Sequence, residues 1–198
     1  HSVVDVVRDP NPTATRYARL GRSLSAEGRP SDAKAAWFRA LNLWNHTTTL
    51  YPGDVHIRSS WSDCCNDLAW FLINKPELQG EEVAQAVELA LRATEAFPDR
   101  STYWNTLGVA YYRSDQDALA ISAFHQSLVL QSDQGTAFDF FYLTMACSRI
   151  GQCDIARSWY DKGLLLFNEM PYEDHALEAL HLEAKESLVL PSKGLSRL

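Results

Sequence analysis

The sequence predicts an all-α fold, an α-solenoid of about four helix–turn–helix repeats with a C-terminal capping helix. Three observations carry that reading. Trp104, Leu107 and Tyr111 fall at i, i+3 and i+7, one stripe of a first helix, and Gly108 leaves room for a second helix to approach. Ala120 and Phe124 supply the matching small and large contacts on that second helix. The arrangement recurs along the chain, with its leucine place at Leu20, Leu68, Leu107 and Leu143, in steps of 48, 39 and 36 residues.

Residues 1–12, with Pro10 and Pro12, read as an extended lead-in. The first repeat is placed at 13–52. Tyr17, Leu20, Gly21 and Leu24 mark its first helix, which Gly28 ends. Ala33, Trp37 and Ala40 mark its second helix, which overruns because few breakers occur before Pro52-Gly53. The second repeat, 54–98, opens with Asp54 capping a long helix that carries Leu68, Ala69 and Leu72 and reaches Asn74. A Pro76–Gly80 connection leads to a helix with Ala86, Ala90 and Ala93, and Pro98 closes the unit. The third repeat, 101–134, holds the clearest pattern. The fourth, 135–167, keeps Leu143, Ala156, Tyr160 and Gly163, but has Phe140 for tryptophan and Thr144 for glycine.

Beyond Phe167, residues 172–190 carry Ala176, Leu177, Leu180, Leu182 and Ala184 among charges, an amphipathic helix. Stacked repeats leave an apolar face open at each end, and this helix is read as the cap that covers one. Residues 191–198 read as a tail.

Composition excludes several classes of function. The 198 residues are 46% hydrophobic, with six Trp, eight Tyr and eight Phe, which argues for a packed core. A net charge of −7 without a basic stripe argues against a nucleic acid partner. No apolar run approaches the ~18 residues that membrane insertion needs. Starting at His1 without a Met, the chain reads as an excised fragment. Cys64, Cys65, Cys147 and Cys153 lack metal-binding spacing and read as buried, reduced thiols of a cytoplasmic protein. The six histidines share no H-E-x-x-H pairing and read as surface residues. There is no G-x-S-x-G, phosphate-binding or dinucleotide-binding loop. The expectation is no enzyme, no catalytic residue, no metal and no cofactor.

The spacing W-x2-L-G-x2-Y, then A-x3-F, resembles the tetratricopeptide repeat (TPR) signature, whose standard period is about 34 residues. That resemblance implies a right-handed α-solenoid. The run NTLGVAYY, with DLAWFL before it and FDFFYLTMA after it, is similar to something narrower: the terminal TPR arrays of large bacterial proteins carrying Ser/Thr kinase domains. The likeness covers about residues 60–167. A kinase's own Gly-rich loop, H-R-D and D-F-G are missing, so it implies a setting rather than an activity.

In TPR arrays the second, fifth, ninth and twelfth positions of each first helix face the concave groove. Carried over by position, the rule implies a binding groove of Arg22, Asn66, Trp70, Thr102, Asn105, Val109, Tyr112, Phe138, Phe141 and Met145. Co-chaperone TPRs grip a C-terminal carboxylate with basic and Asn side chains. Here those places hold Ala18, Arg22, Asp67, Thr102 and Thr106, which disfavours that role. The expected function is a non-catalytic interaction module binding a peptide or partner protein in the groove. The alternative is a structural module that forms a homodimer.

Overall fold

The structure, a computed structural model, describes residues 11–74, 80–132, 134–170 and 174–189. The lead-in over 1–10, most of the Pro76–Gly80 connection and the tail lie outside the described residues. Among those described, nine helices and no strand are found: α1 (Pro12–Ala26), α2 (Pro30–Leu50), α3 (Val55–Ile73), α4 (Gly80–Ala96), α5 (Ser101–Arg113), α6 (Asp117–Leu130), α7 (Ala137–Arg149), α8 (Cys153–Asn168) and α9 (His175–Ser187). Helices α1/α2, α3/α4, α5/α6 and α7/α8 pack as pairs, and each pair stacks on the next. No described helix is long and apolar enough to cross a membrane.

The repetition extends to hydrogen bonds. The first helices of pairs one, three and four end in the same closure. Arg29 N donates to Leu24 O, Gln116 N to Tyr111 O and Gln152 N to Cys147 O, each at 2.9 Å. The residue before each donor takes left-handed backbone: Gly28 at φ 73°, Asp115 at 58° and Gly151 at 80°. Asp115 thus does the turn's work without being glycine, an option open to Asp because its short side chain tolerates that region.

Close approach within a pair rests on small residues. A Cβ at Gly21 would lie 2.8 Å from the Trp37 ring, and one at Gly108 would lie 2.9 Å from Phe124. In the fourth pair Thr144 takes the glycine place and turns its hydroxyl onto Phe140 O at 2.8 Å. The glycine has moved across: a Cβ at Gly163 on α8 would meet Phe141 at 2.8 Å. Leu20 departs from its repeat mates. It is 46% exposed where Leu68, Leu107 and Leu143 are buried, because no earlier repeat among the described residues covers it.

Helix α9, capped by Asp174, buries Leu177, Leu180 and Ala184 and leaves Ala176 and Leu182 to solvent. It packs mainly along α7 and little on α8, whereas α5 leans more on α4 than on α3. It therefore closes the stack from the first-helix side.

Cys64, Cys65 and Cys147 are buried, as expected, but Cys153 at the start of α8 is exposed. The physical reason is simple: the first turn of a surface helix has nothing packed over it. Burial, with Asp67 nearby, pushes the Cys64 thiol up to about 12. Burial alone pushes Cys147 to about 11. A thiolate-seeking reagent such as a maleimide is expected to label Cys153 promptly and the other three only in denaturant. Prompt labelling of two or more thiols would contradict this packing.

Candidate groove for a partner

The concave side is built by α1, α3, α5 and α7. Helix α1 stands off from α3, and the Arg22–Asp67 ion pair at 3.1 Å bridges the gap. Beside that pair lies a cleft of about 650 Å³ lined by Trp37, Trp70 and Phe71, with Gly28 and Pro30 also on its wall. A second compartment of about 370 Å³ crosses α3, α5 and α7. The two adjoin, with Asp67 and Trp70 on the wall of both. Trp70 stands at the joint, 39% exposed on a helix whose other large residues are mostly covered.

Six of the ten residues placed in the groove by position line these two compartments. Arg22 and Trp70 border the first compartment, and Asn66, Trp70, Thr102, Asn105 and Phe138 border the second. The other four are buried. Val109, Tyr112, Phe141 and Met145 are each 2% exposed or less. Physical causes are visible for three of them. Phe141 fills the space over Gly163 and meets the rings of Tyr160, Phe167 and His181. The Tyr112 hydroxyl lies 3.4 Å from both Met145 Sδ and Glu183 Oε1 of α9, and Arg149 stacks 3.9 Å above the Tyr112 ring. Ser148 donates to the backbone oxygen of Ser187. Helix α9 thus lies across the groove positions of the last repeat. The positional rule assumes that no helix of the chain itself lies there.

His181 is corrected with them. It is half-buried: its Nε2 lies 2.8 Å from the Tyr160 hydroxyl, among aromatic rings. Burial, then Lys185, holds it below the usual imidazole value.

The two asparagines differ. Asn105 donates to Asp139, whose other oxygen accepts from Thr136 N at 2.7 Å and Thr136 Oγ1 at 2.8 Å in a capping box. One of its two amide N–H groups is therefore occupied in fixing α7 to α5. Asn66 lies beside Asp67 and favours its charged form, while its own Oδ1 is buried with no hydrogen-bond partner. Burial pushes the Asp67 carboxyl above its ordinary value, an effect Arg22 only partly offsets. The positional rule does not include Trp37, Phe71, Asp67 or Asp139. The sequence reading has Trp37 only as a marker of the second helix, and no repeat pattern announces a gap between α1 and α3. Among the described residues no group of three His, Cys, Asp or Glu could hold a metal ion.

Three solved structures resemble this architecture. MamA of AMB-1 is 17% identical, with a TM-score of 0.50, covering 84% of this chain and 98% of that one. A thermophilic TPR protein of Thermus thermophilus is 18% identical, with a TM-score of 0.48, covering 89% and 100%. PilF of Pseudomonas aeruginosa is 16% identical, with a TM-score of 0.45, covering 91% and 89%. At that identity the likeness to MamA speaks to the fold alone. No curated protein sequence matches the chain. The sequence profile described as the bacterial transcriptional activator domain matches residues 13–136, from α1 to the capping residue of α7. With well over half its length so matched, the chain belongs to the bacterial transcriptional activator domain family.

Proposed function

We propose that this domain is a non-catalytic interaction module that holds a segment of a partner protein in the open part of its concave groove. The observation that supports this best is the pair of adjoining compartments that share Trp70, where apolar walls meet a buried acceptor that lacks a donor. Folds of stacked helix pairs commonly present such extended concave surfaces. Helices fixed by neighbours on both sides need little ordering on association, so less of the contact energy is lost to entropy. Family membership supports a transcriptional regulator as the parent protein, in preference to the kinase-associated setting implied by the aromatic pattern. A reduced, cytoplasmic setting agrees with that parent.

The test compares wild-type domain with Trp70→Ala in partner capture and subsequent affinity measurement. Trp70 is half-exposed, so the variant is expected to melt close to wild type. It is expected to lose about thirtyfold or more in affinity, as removal of an interface anchor does. Equal affinity would move the binding surface off the groove. A dimer that persists in Trp70→Ala and competes with capture would favour self-association instead.

A further inference from the structure

Resting on the groove reading, the chemistry of the joint between the two compartments goes further and selects the kind of segment that fits. The apolar part is the cleft walled by Trp37, Trp70 and Phe71. Its size falls within the range of pockets that enclose a ligand group, about 300–1,000 Å³, so it admits a bulky apolar side chain. The polar part lies one helical turn earlier on α3. Asn66 Oδ1 is buried and accepts nothing. No donor among the described residues reaches it, and its neighbour Asp67 keeps about a third of its side chain in solvent, where an incoming donor meets it. A partly desolvated carboxylate gains more from such a donor than one in open water.

The charge around that acceptor decides which donor. Asp67 is two-thirds buried, and Asp63, itself paired with Arg100 at 2.8 Å, lies beside it. Its counter-ion, Arg22, is mostly in solvent, with its side chain 62% exposed, and touches Asp67 from the α1 side only. Asp139, buried at 1% exposure, adds a second carboxylate to the other compartment. Arg22 is the one basic side chain among the described residues lining either compartment. The local balance is negative and under-neutralised, so an ammonium or guanidinium is favoured there and a carboxylate is opposed.

We propose that the groove recognises a basic amphipathic segment of a partner protein. A large apolar side chain enters the cleft between Trp37, Trp70 and Phe71, and a neighbouring lysine or arginine pairs with the partly exposed Asp67.

The experiment pans a random 16-residue peptide library displayed on phage against the whole chain at low salt. Enriched peptides are then synthesised and titrated. Enriched sequences are expected to place Lys or Arg within about one helical turn of Trp, Phe or Leu. Changing that Lys to Gln should weaken binding about tenfold or more, the worth of one charge-assisted hydrogen bond. Against Asp67→Asn, which keeps the side chain's shape, the same change should cost little. Arg22→Ala, at an exposed position that leaves the fold intact, should tighten the Lys peptide by removing its competitor for Asp67. Three results would overturn the proposal: neutral or acidic binders, a Lys preference unchanged in Asp67→Asn with Arg22→Ala without effect, or no enrichment. Binders that lack a basic residue yet are lost in Trp70→Ala would sink the charge assignment and leave the groove standing. Binders indifferent to Trp70→Ala would sink both.

Discussion

Phe141→Ala is expected to destabilise the domain by about 3–5 kcal/mol, the usual loss when a large buried aromatic is truncated. Phe141 has no exposed surface. Its ring occupies the space that Gly163 leaves by having no side chain, and it contacts Tyr160, Phe167 and His181. One side chain therefore joins α7, α8 and α9, and its removal leaves a cavity that three helices cannot all close. Urea unfolding followed by circular dichroism measures the loss. The control is Phe138→Ala: Phe138 is half-buried and lines the open groove, so it should cost clearly less. Comparable small losses at both sites would mean that Phe141 is a groove wall after all, as position alone implied.

That contrast shows what the sequence could and could not disclose. The pairing of helices was legible because it rests on local chemistry repeated in register. Gly21 against Trp37 and Gly108 against Phe124 are the same contact at the same sequence spacing, and the left-handed turns at Gly28, Asp115 and Gly151 each follow the glycine place (Gly21, Gly108 and Thr144) at one shared, shorter spacing. Asp54 and Asp174 each accept from two backbone N–H groups at a helix start, as short acidic residues before an amphipathic run should. The groove was legible only in part. Positions two, five, nine and twelve do face one side of the first helices, but whether that side is open depends on what else the chain lays there. Helix α9 does so at the C-terminal end, and its apolar stripe gives no sign of which neighbour it will cover. The cleft at the N-terminal end arises where α1 stands away from α3, a spacing set by tertiary packing and not by any residue pattern. The unpartnered Asn66 Oδ1 likewise belongs to an arrangement in space.

Replacing Leu177 and Leu180 together by Asp is expected to release α9 while the first three helix pairs stay folded. Each leucine is nearly fully buried, and burial of such a side chain contributes about 1.5–3 kcal/mol, so the pair accounts for about 3–6 kcal/mol before the added charges are counted. The helix is also tied by hydrogen bonds of Tyr160 to His181, Ser148 to Ser187 and Tyr112 to Glu183, by the buried Ala184 and by the His181 ring against Phe141, Tyr160 and Phe167. A terminal helix held mainly along one neighbour opens locally once its two leucines are lost, and not with the whole fold. Hydrogen exchange should show protection lost in α9 and at the facing side of α7, with α1–α6 unchanged, and a hydrophobic dye should bind the uncovered rings. Acid should act in the same direction. His181 titrates lower when folded than when unfolded, so its contribution is intact above the unfolded value of 6.5 and falls away as pH drops below it. Loss of protection spread evenly over α1–α6 would instead make α9 part of the cooperative core. If α9 alone releases, Tyr112, Phe141 and Met145 become accessible on the side where Trp70 already stands. The domain would then present a longer groove, its C-terminal half covered in the resting state by the chain's own helix.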